Sequence, residues 1–340
     1  MGPCLRMVRV TRSPVSAAGR HLAGLRLAAA LLAVLASGLL LALLCVSLGG
    51  WSSSLLVGWL AVVPALHTKV GEREAVAVGC RFRAPSRAVR AALDPVWHSA
   101  CRAAGIAVTD VDLYLKRDGG INAYAAGRRS VAVTTGALTA FLSGSLPPRQ
   151  MEALLLHELG HHAIGGLRYG LAVAWLAWPW RAARHLVLGL CWPIARRQPR
   201  GMLAVVVAGG VVIAIAQSVQ HGHLAAAVVL TAVAVCAVAC PTINAWASRR
   251  GELAADQFAV SCGAGPDLAL LLARLEADDG ARREAPRAIR RHPPTARRLF
   301  GLPVPPQRRS GLAEPTCTAP AVAVDYRAVS QQSSHPCPIR

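Results

Sequence analysis

Residues 147–162 read PPRQMEALLLHELGHH, and within them His157-Glu158-Leu159-Gly160-His161 fits the pattern H-E-x-x-H. The pattern demands a helix, because residues i and i+4 then lie one above the other and two imidazoles can reach a single ion. The surrounding residues supply that helix. Pro147 and Pro148 suit a first turn and Glu152 lies near the positive N-terminal end. Met151, Leu154, Leu155, Leu156 and Leu159 give the helix its apolar surface. A catalytic zinc takes three protein ligands and leaves a fourth position for water. His157 and His161 are two candidate ligands. Glu158, projecting beside them, is placed as the general base that takes the proton from that water. The third ligand has to come from elsewhere. The extended pattern H-E-x-x-H-x-x-G-x-x-H needs Gly at 164 and His at 167, where Ile164 and Leu167 stand.

The rest of the chain is unusual for a soluble protein. Of its 340 residues 54% are hydrophobic and only 16% are charged, and the excess is concentrated in two long runs. Residues 27–68 carry no charged side chain at neutral pH, and 201–248 carry none apart from the titratable His221 and His223. One membrane-crossing helix needs roughly 20 apolar residues. Each run is about twice that, so the sequence predicts about four transmembrane helices in two hairpins. The net charge of +20 is not the signature of a nucleic-acid partner, because no aromatic-interleaved basic module and no Cys/His finger spacing is present. Instead the Arg residues flank the apolar runs: Arg6, Arg9, Arg12, Arg20 and Arg26 before the first, Arg196, Arg197 and Arg200 before the second, Arg249 and Arg250 after it. The positive-inside rule puts these flanks, and the H-E-x-x-H stretch with them, on the cytoplasmic side of a cell membrane. The ten cysteines form no C-x-x-C or regular framework, which fits reduced thiols in a cytosol-facing domain.

In chain order the sequence predicts a basic tail over 1–26, a transmembrane hairpin over 27–68 and a catalytic α/β unit with the zinc helix over 69–166. An interfacial Trp/Arg-rich segment over 167–200 follows, then a second hairpin over 201–248, a second part of the catalytic unit over 249–300 and a disordered tail over 301–340. The 1–26 tail and the first apolar run read as an anchor, since the run exceeds the 7–15-residue core of a cleaved signal. In the 69–166 unit, an amphipathic helix is predicted over 85–104, a half-buried strand over 111–115, a hairpin from 121–126 and 130–135, and a short helix over 136–142 capped by Thr134 or Thr135. Trp175, Trp178, Trp180 and Trp192, interrupted by Arg181, Arg184 and His185, suit helices lying at headgroup level. His221-Gly222-His223 reads as a polar hairpin tip, and the seven Arg between 282 and 298 as a solvated face or a contact with anionic membrane lipid.

Acidic residues are scarce between Glu158 and the tail. Glu252 and Asp256 stand out among them because they are i and i+4 on one predicted helix. One can ligate the metal while the other holds a ligand imidazole by its far N–H. An exposed helix face with two acids accounts for the spacing equally well.

With HELGH, then paired apolar runs, then GELAADQFAV at 251–260, then HPPTARRL at 292–299, the chain resembles the HtpX-like membrane zinc metallopeptidases, whose wider family includes the CAAX prenyl endopeptidases. NAYAAG at 122–127 and VAVTTG at 131–136 resemble the strand pair that precedes the metal helix in that family. The resemblance implies a mainly α membrane protein with a small α/β zincin-like catalytic unit, holding one Zn2+ per subunit. It implies His157, His161 and Glu252 as ligands, Glu158 as the base and Asp256 in support. A protein or peptide substrate is expected as an added β-strand along Asn122, Ala123, Tyr124 and Ala125, and His292 is expected to shape the site. The function so implied is endoproteolysis of membrane or misfolded proteins. A sensor-transducer that signals by metalloprotease cleavage and a non-proteolytic scaffold are the alternatives. A transporter is disfavoured, because such proteins place ionisable residues inside their spans.

Overall fold

The computed structural model describes residues 15–49, 53–165, 167, 169–197 and 202–281. His292, the 282–298 basic segment and the expected tail over 301–340 lie outside the described residues. Two helices among them are long and apolar enough to cross a membrane, α1 (Val15–Leu48) and α10 (Leu224–Ser261). This supports a membrane association. They pack side by side, with α8 (Trp178–Arg197) as third partner, through Ala33, Ala36, Ala177, Cys236 and Cys240 around Trp180. Small side chains let helix backbones approach closely where lipid offers no hydrophobic drive. The buried Ser37 hydroxyl accepts from the Trp180 backbone N–H at 3.1 Å while donating to the Ala33 carbonyl at 2.9 Å.

The other two expected crossings are less complete. Helix α2 (Ser53–Leu66) has 14 residues, about 21 Å at 1.5 Å per residue, against a hydrocarbon core of about 30 Å. It then bends by 111° into α3 (Lys69–Gly79). Helix α9 (Met202–Gln220) packs on α10 and has 19 residues. Length and composition therefore carry two crossings, or three if the bent pair is one span, where the sequence pointed to four. The described residues of the 167–200 segment form α7 (Gly170–Leu176) and α8, packed on α1 and α2.

The α/β unit follows the sequence closely. Helix α4 (Arg87–Ala104) is capped by Ser86 and closed by Gly105 at φ 67°, and buries Val89, Leu93, Val96, Trp97, Ala100 and Cys101 at helical spacing. Four strands, β1 (Phe82–Arg83), β2 (Asp112–Lys116), β3 (Ala123–Ala126) and β4 (Ser130–Thr134), form a sheet of order β1-β2-β4-β3. β2 and β4 are parallel and the other pairs antiparallel. The central strand β4 is buried throughout, as its unbroken Val131-Ala132-Val133 run requires. One face, with Leu113, Ala123, Val131 and Val133, joins the main core formed with α4, α5 (Thr135–Leu142), α6 (Pro148–Ala163) and α11 (Gly265–Ala281). On the other, Ala132, Tyr114 and Tyr124 pack with Phe82 and with Val76 of α3. Thr134 caps α5, accepting from the Ala137 N–H at 3.2 Å.

At the centre of this unit lies α6, with residues 153–160 all buried. It touches α4, α10, α11 and β3. The fully buried Met151, Leu155, Leu156 and Leu159 each contribute about 1.5–3 kcal/mol of burial. Glu152, read from the sequence as a dipole partner, accepts a hydrogen bond from the Ser99 hydroxyl of α4 at 2.6 Å. The rigid surroundings of α6 are what a precise site requires.

Candidate metal centre

Two helices build the site. α6 presents His157 and His161 one turn apart, with ring centroids 4.9 Å apart and planes at 83°. Against them runs α10, which continues unbroken from its apolar stretch into Glu252 and Asp256. Gly160 permits the approach: a Cβ there would lie 3.1 Å from the Ala255 carbonyl oxygen and from Phe258 Cδ1, and 3.2 Å from Ala255 Cα. A Cβ there would press on α10 by a few tenths of an ångström, beside the turn that carries its acids.

At this crossing the Glu252 carboxylate bridges the imidazole pair. Its Oε2 is 3.4 Å from His157 Nε2 and its Oε1 is 3.6 Å from His161 Nε2. Asp256, one turn on, accepts from His157 Nδ1 at 2.8 Å. With the Nδ1 proton held by Asp256, Nε2 is the nitrogen that faces Glu252 and would give its lone pair to a bound ion once the ring is neutral. One ligand atom each from His157, Glu158 and His161 lies within 4.8 Å of the others. His157, Glu158, Glu252 and Asp256 are all buried.

The donor set suits a divalent cation. Two imidazole nitrogens and a carboxylate oxygen are ligands zinc accepts, and three protein ligands with a fourth position left to water are the catalytic arrangement. Charge argues the same way. Burial pulls the His157 imidazolium down, but its hydrogen bonds to Asp256 and Glu252 and the nearby Glu158 charge outweigh this and push it up to about 9. A cluster that holds positive charge so firmly carries the surplus of carboxylate that a buried cation needs.

The strand expected to receive substrate lies beside this helix. Among the described residues β3 is an edge strand, and it packs against α6. The Thr134 N–H donates to the Asn122 carbonyl at 3.0 Å. Antiparallel alternation therefore turns the backbone groups of Ala123 and Ala125 outward, to the open edge. The outward N–H of Ala123 donates to the Asn122 side-chain oxygen at 2.9 Å. Tyr124 points to the opposite face, its hydroxyl 3.2 Å from Asp118 and its ring under the Lys116 ammonium. Sequence reasoning overlooked Glu72, which is buried at the tip of the β3–β4 hairpin. Nothing in KVGERE at 69–74 separates it from its exposed neighbour Glu74.

The model for peptidase family M48 matches residues 88–303, more than half of the chain, including the α6 histidines and the α10 acids. The chain belongs to peptidase family M48. Membership makes it a metallopeptidase of the HtpX/CAAX protease family, a hydrolase whose M48 relatives use a metal, usually zinc. No curated protein and no solved structure gives a significant match.

Proposed function

We propose that this M48 chain is a membrane-bound zinc endopeptidase that hydrolyses peptide bonds of membrane or misfolded proteins. The observation that carries the reading is the reach of Glu252 from α10 to both Nε2 atoms of the α6 pair. In this reading His157, His161 and Glu252 hold one zinc ion, and Asp256 orients His157. The ion supplies Lewis-acid activation of water and of the substrate carbonyl at neutral pH. Glu158 takes the proton from the attacking water and delivers it to the departing amide nitrogen, so that peptide bond and water are exchanged for a carboxylic acid and an amine. The substrate pairs as a strand with the outward backbone of Ala123 and Ala125, displacing the Asn122 amide from the Ala123 N–H. The return helix α2 and helix α9 complete two membrane hairpins, and the Arg-rich flanks hold the catalytic unit at the cytoplasmic face.

The test is cleavage of unfolded casein by the full chain in detergent. Cleavage should stop with a chelator and return with added zinc; activity indifferent to the chelator would refute the reading. Two supporting contacts give graded expectations. Asp256→Ala should weaken zinc binding by about 10–100-fold, the range for a lost partner of a ligand imidazole. Gly160→Ala, which crowds Ala255 and Phe258 of α10 by a few tenths of an ångström, should weaken it less than Asp256→Ala does, with helix content unchanged. Competition against a chromophoric chelator measures both.

A further inference from the structure

We propose that Glu72 is a positioning residue for the substrate strand, fastening the tip of the β3–β4 hairpin to the elbow at the end of α2. This rests on the reading of β3 as that strand. A single oxygen of the buried Glu72 carboxylate, Oε1, accepts from the backbone N–H groups of Arg128 and Arg129 at 2.8 and 2.9 Å, and from the Ser130 hydroxyl at 3.3 Å. These are the residues that turn β3 into β4. Gly127 completes the fit. It has φ 60°, and a Cβ there would lie 2.5 Å from Glu72 Oε1 and 2.9 Å from Leu171 of α7. The hairpin tip is thus shaped around the carboxylate.

Glu72 itself is held from the other side. The Thr68 hydroxyl donates to the Ala65 carbonyl at 2.8 Å and accepts from the Gly71 N–H at 3.0 Å. A Cβ on Gly71 would collide with the Ala65 carbonyl at 2.0 Å, so the 111° elbow closes only on glycine. The hairpin is therefore held at its tip by the α2–α3 elbow and along β3 by its packing on α6. This grip fixes where the Ala123 and Ala125 backbone stands relative to His157 and His161. The Glu72 carboxylate spends its hydrogen bonds on the hairpin tip, so its effect is on how substrate lies and not on the metal.

The test uses the full chain loaded with zinc, with casein as substrate, and amide hydrogen exchange at 128–130. Glu72→Ala should raise KM about 10-fold with kcat and zinc content within about twofold of wild type, since uniform binding is what is lost. Glu72→Gln keeps an amide oxygen as acceptor and should restore KM. Gly127→Ala, which crowds an intact Glu72, should raise KM as Glu72→Ala does and serves if the latter folds poorly. Exchange at 128–130 should quicken in Glu72→Ala. An unchanged KM in both variants, or loss of KM, kcat and zinc together, would overturn the proposal. Chelator-insensitive cleavage by the wild type would instead defeat the peptidase reading, while unchanged exchange at 128–130 defeats the clamp alone.

Discussion

Glu158→Gln should leave zinc bound and reduce casein cleavage by about 10²–10⁴-fold, the usual contribution of a positioned general base. The reasoning is specific to this site. Glu158 is buried beside His157 and His161, with a carboxylate oxygen in the same cluster as their nitrogens. A glutamine there has nearly the same shape, so the packing of α6 and the ligand geometry survive. What it lacks is the capacity to accept a proton at neutral pH. The loss should therefore fall on kcat, with KM little changed, because the proton moves only in the transition state. Equal activity in the variant would mean that another group takes the proton.

The second large effect is on the metal. Glu252→Ala should lower zinc affinity at least about 100-fold, beyond the 10–100-fold cost of losing a merely supporting partner. Glu252 contributes on two counts. Its carboxylate is the group on α10 that faces both Nε2 atoms, and its hydrogen bond to His157 is among the contacts that push that imidazole up. Removal takes away a ligand and part of the negative charge that attracts a cation. Glu252→Gln, which keeps an oxygen but not the charge, should fall between wild type and alanine. Dialysis against graded zinc buffers, with metal content read by emission spectroscopy, separates the three. If all three bind alike, the third ligand is another group.

Much of this was legible in the residues because local and global signals agreed. The 85–104 periodicity, the Leu113/Leu115 alternation, the Gly127 turn and a threonine cap at 134 or 135 each name their element, and the structure has α4, β2, the β3–β4 hairpin and α5 there, with Thr134 as the cap. His157 and His161 announce themselves by spacing alone. Glu252 and Asp256 were visible through scarcity of acids, but spacing could not separate a ligand pair from an exposed face; burial against His157 and His161 is a tertiary fact. The number of crossings was less legible. Apolar composition is shared by α2 and α1, yet α2 ends after 14 residues at an elbow that depends on the absence of a Cβ at Gly71. The continuity of α10 from the membrane run into Glu252 was also hidden, because Arg249 and Arg250 look like a boundary and instead sit mid-helix, Arg250 over the Trp246 ring at 4.6 Å. Glu72 escaped because its partners stand 56 to 58 residues away.

The most direct measurement is zinc X-ray absorption on the full chain loaded with one equivalent of metal. The ligand set argued from α6 and α10 predicts only nitrogen and oxygen neighbours at about 2.0–2.2 Å, two of them imidazole, with one oxygen-side change in Glu252→Ala. Sulfur at about 2.3 Å, or a shell that is identical in wild type and Glu252→Ala, would contradict it.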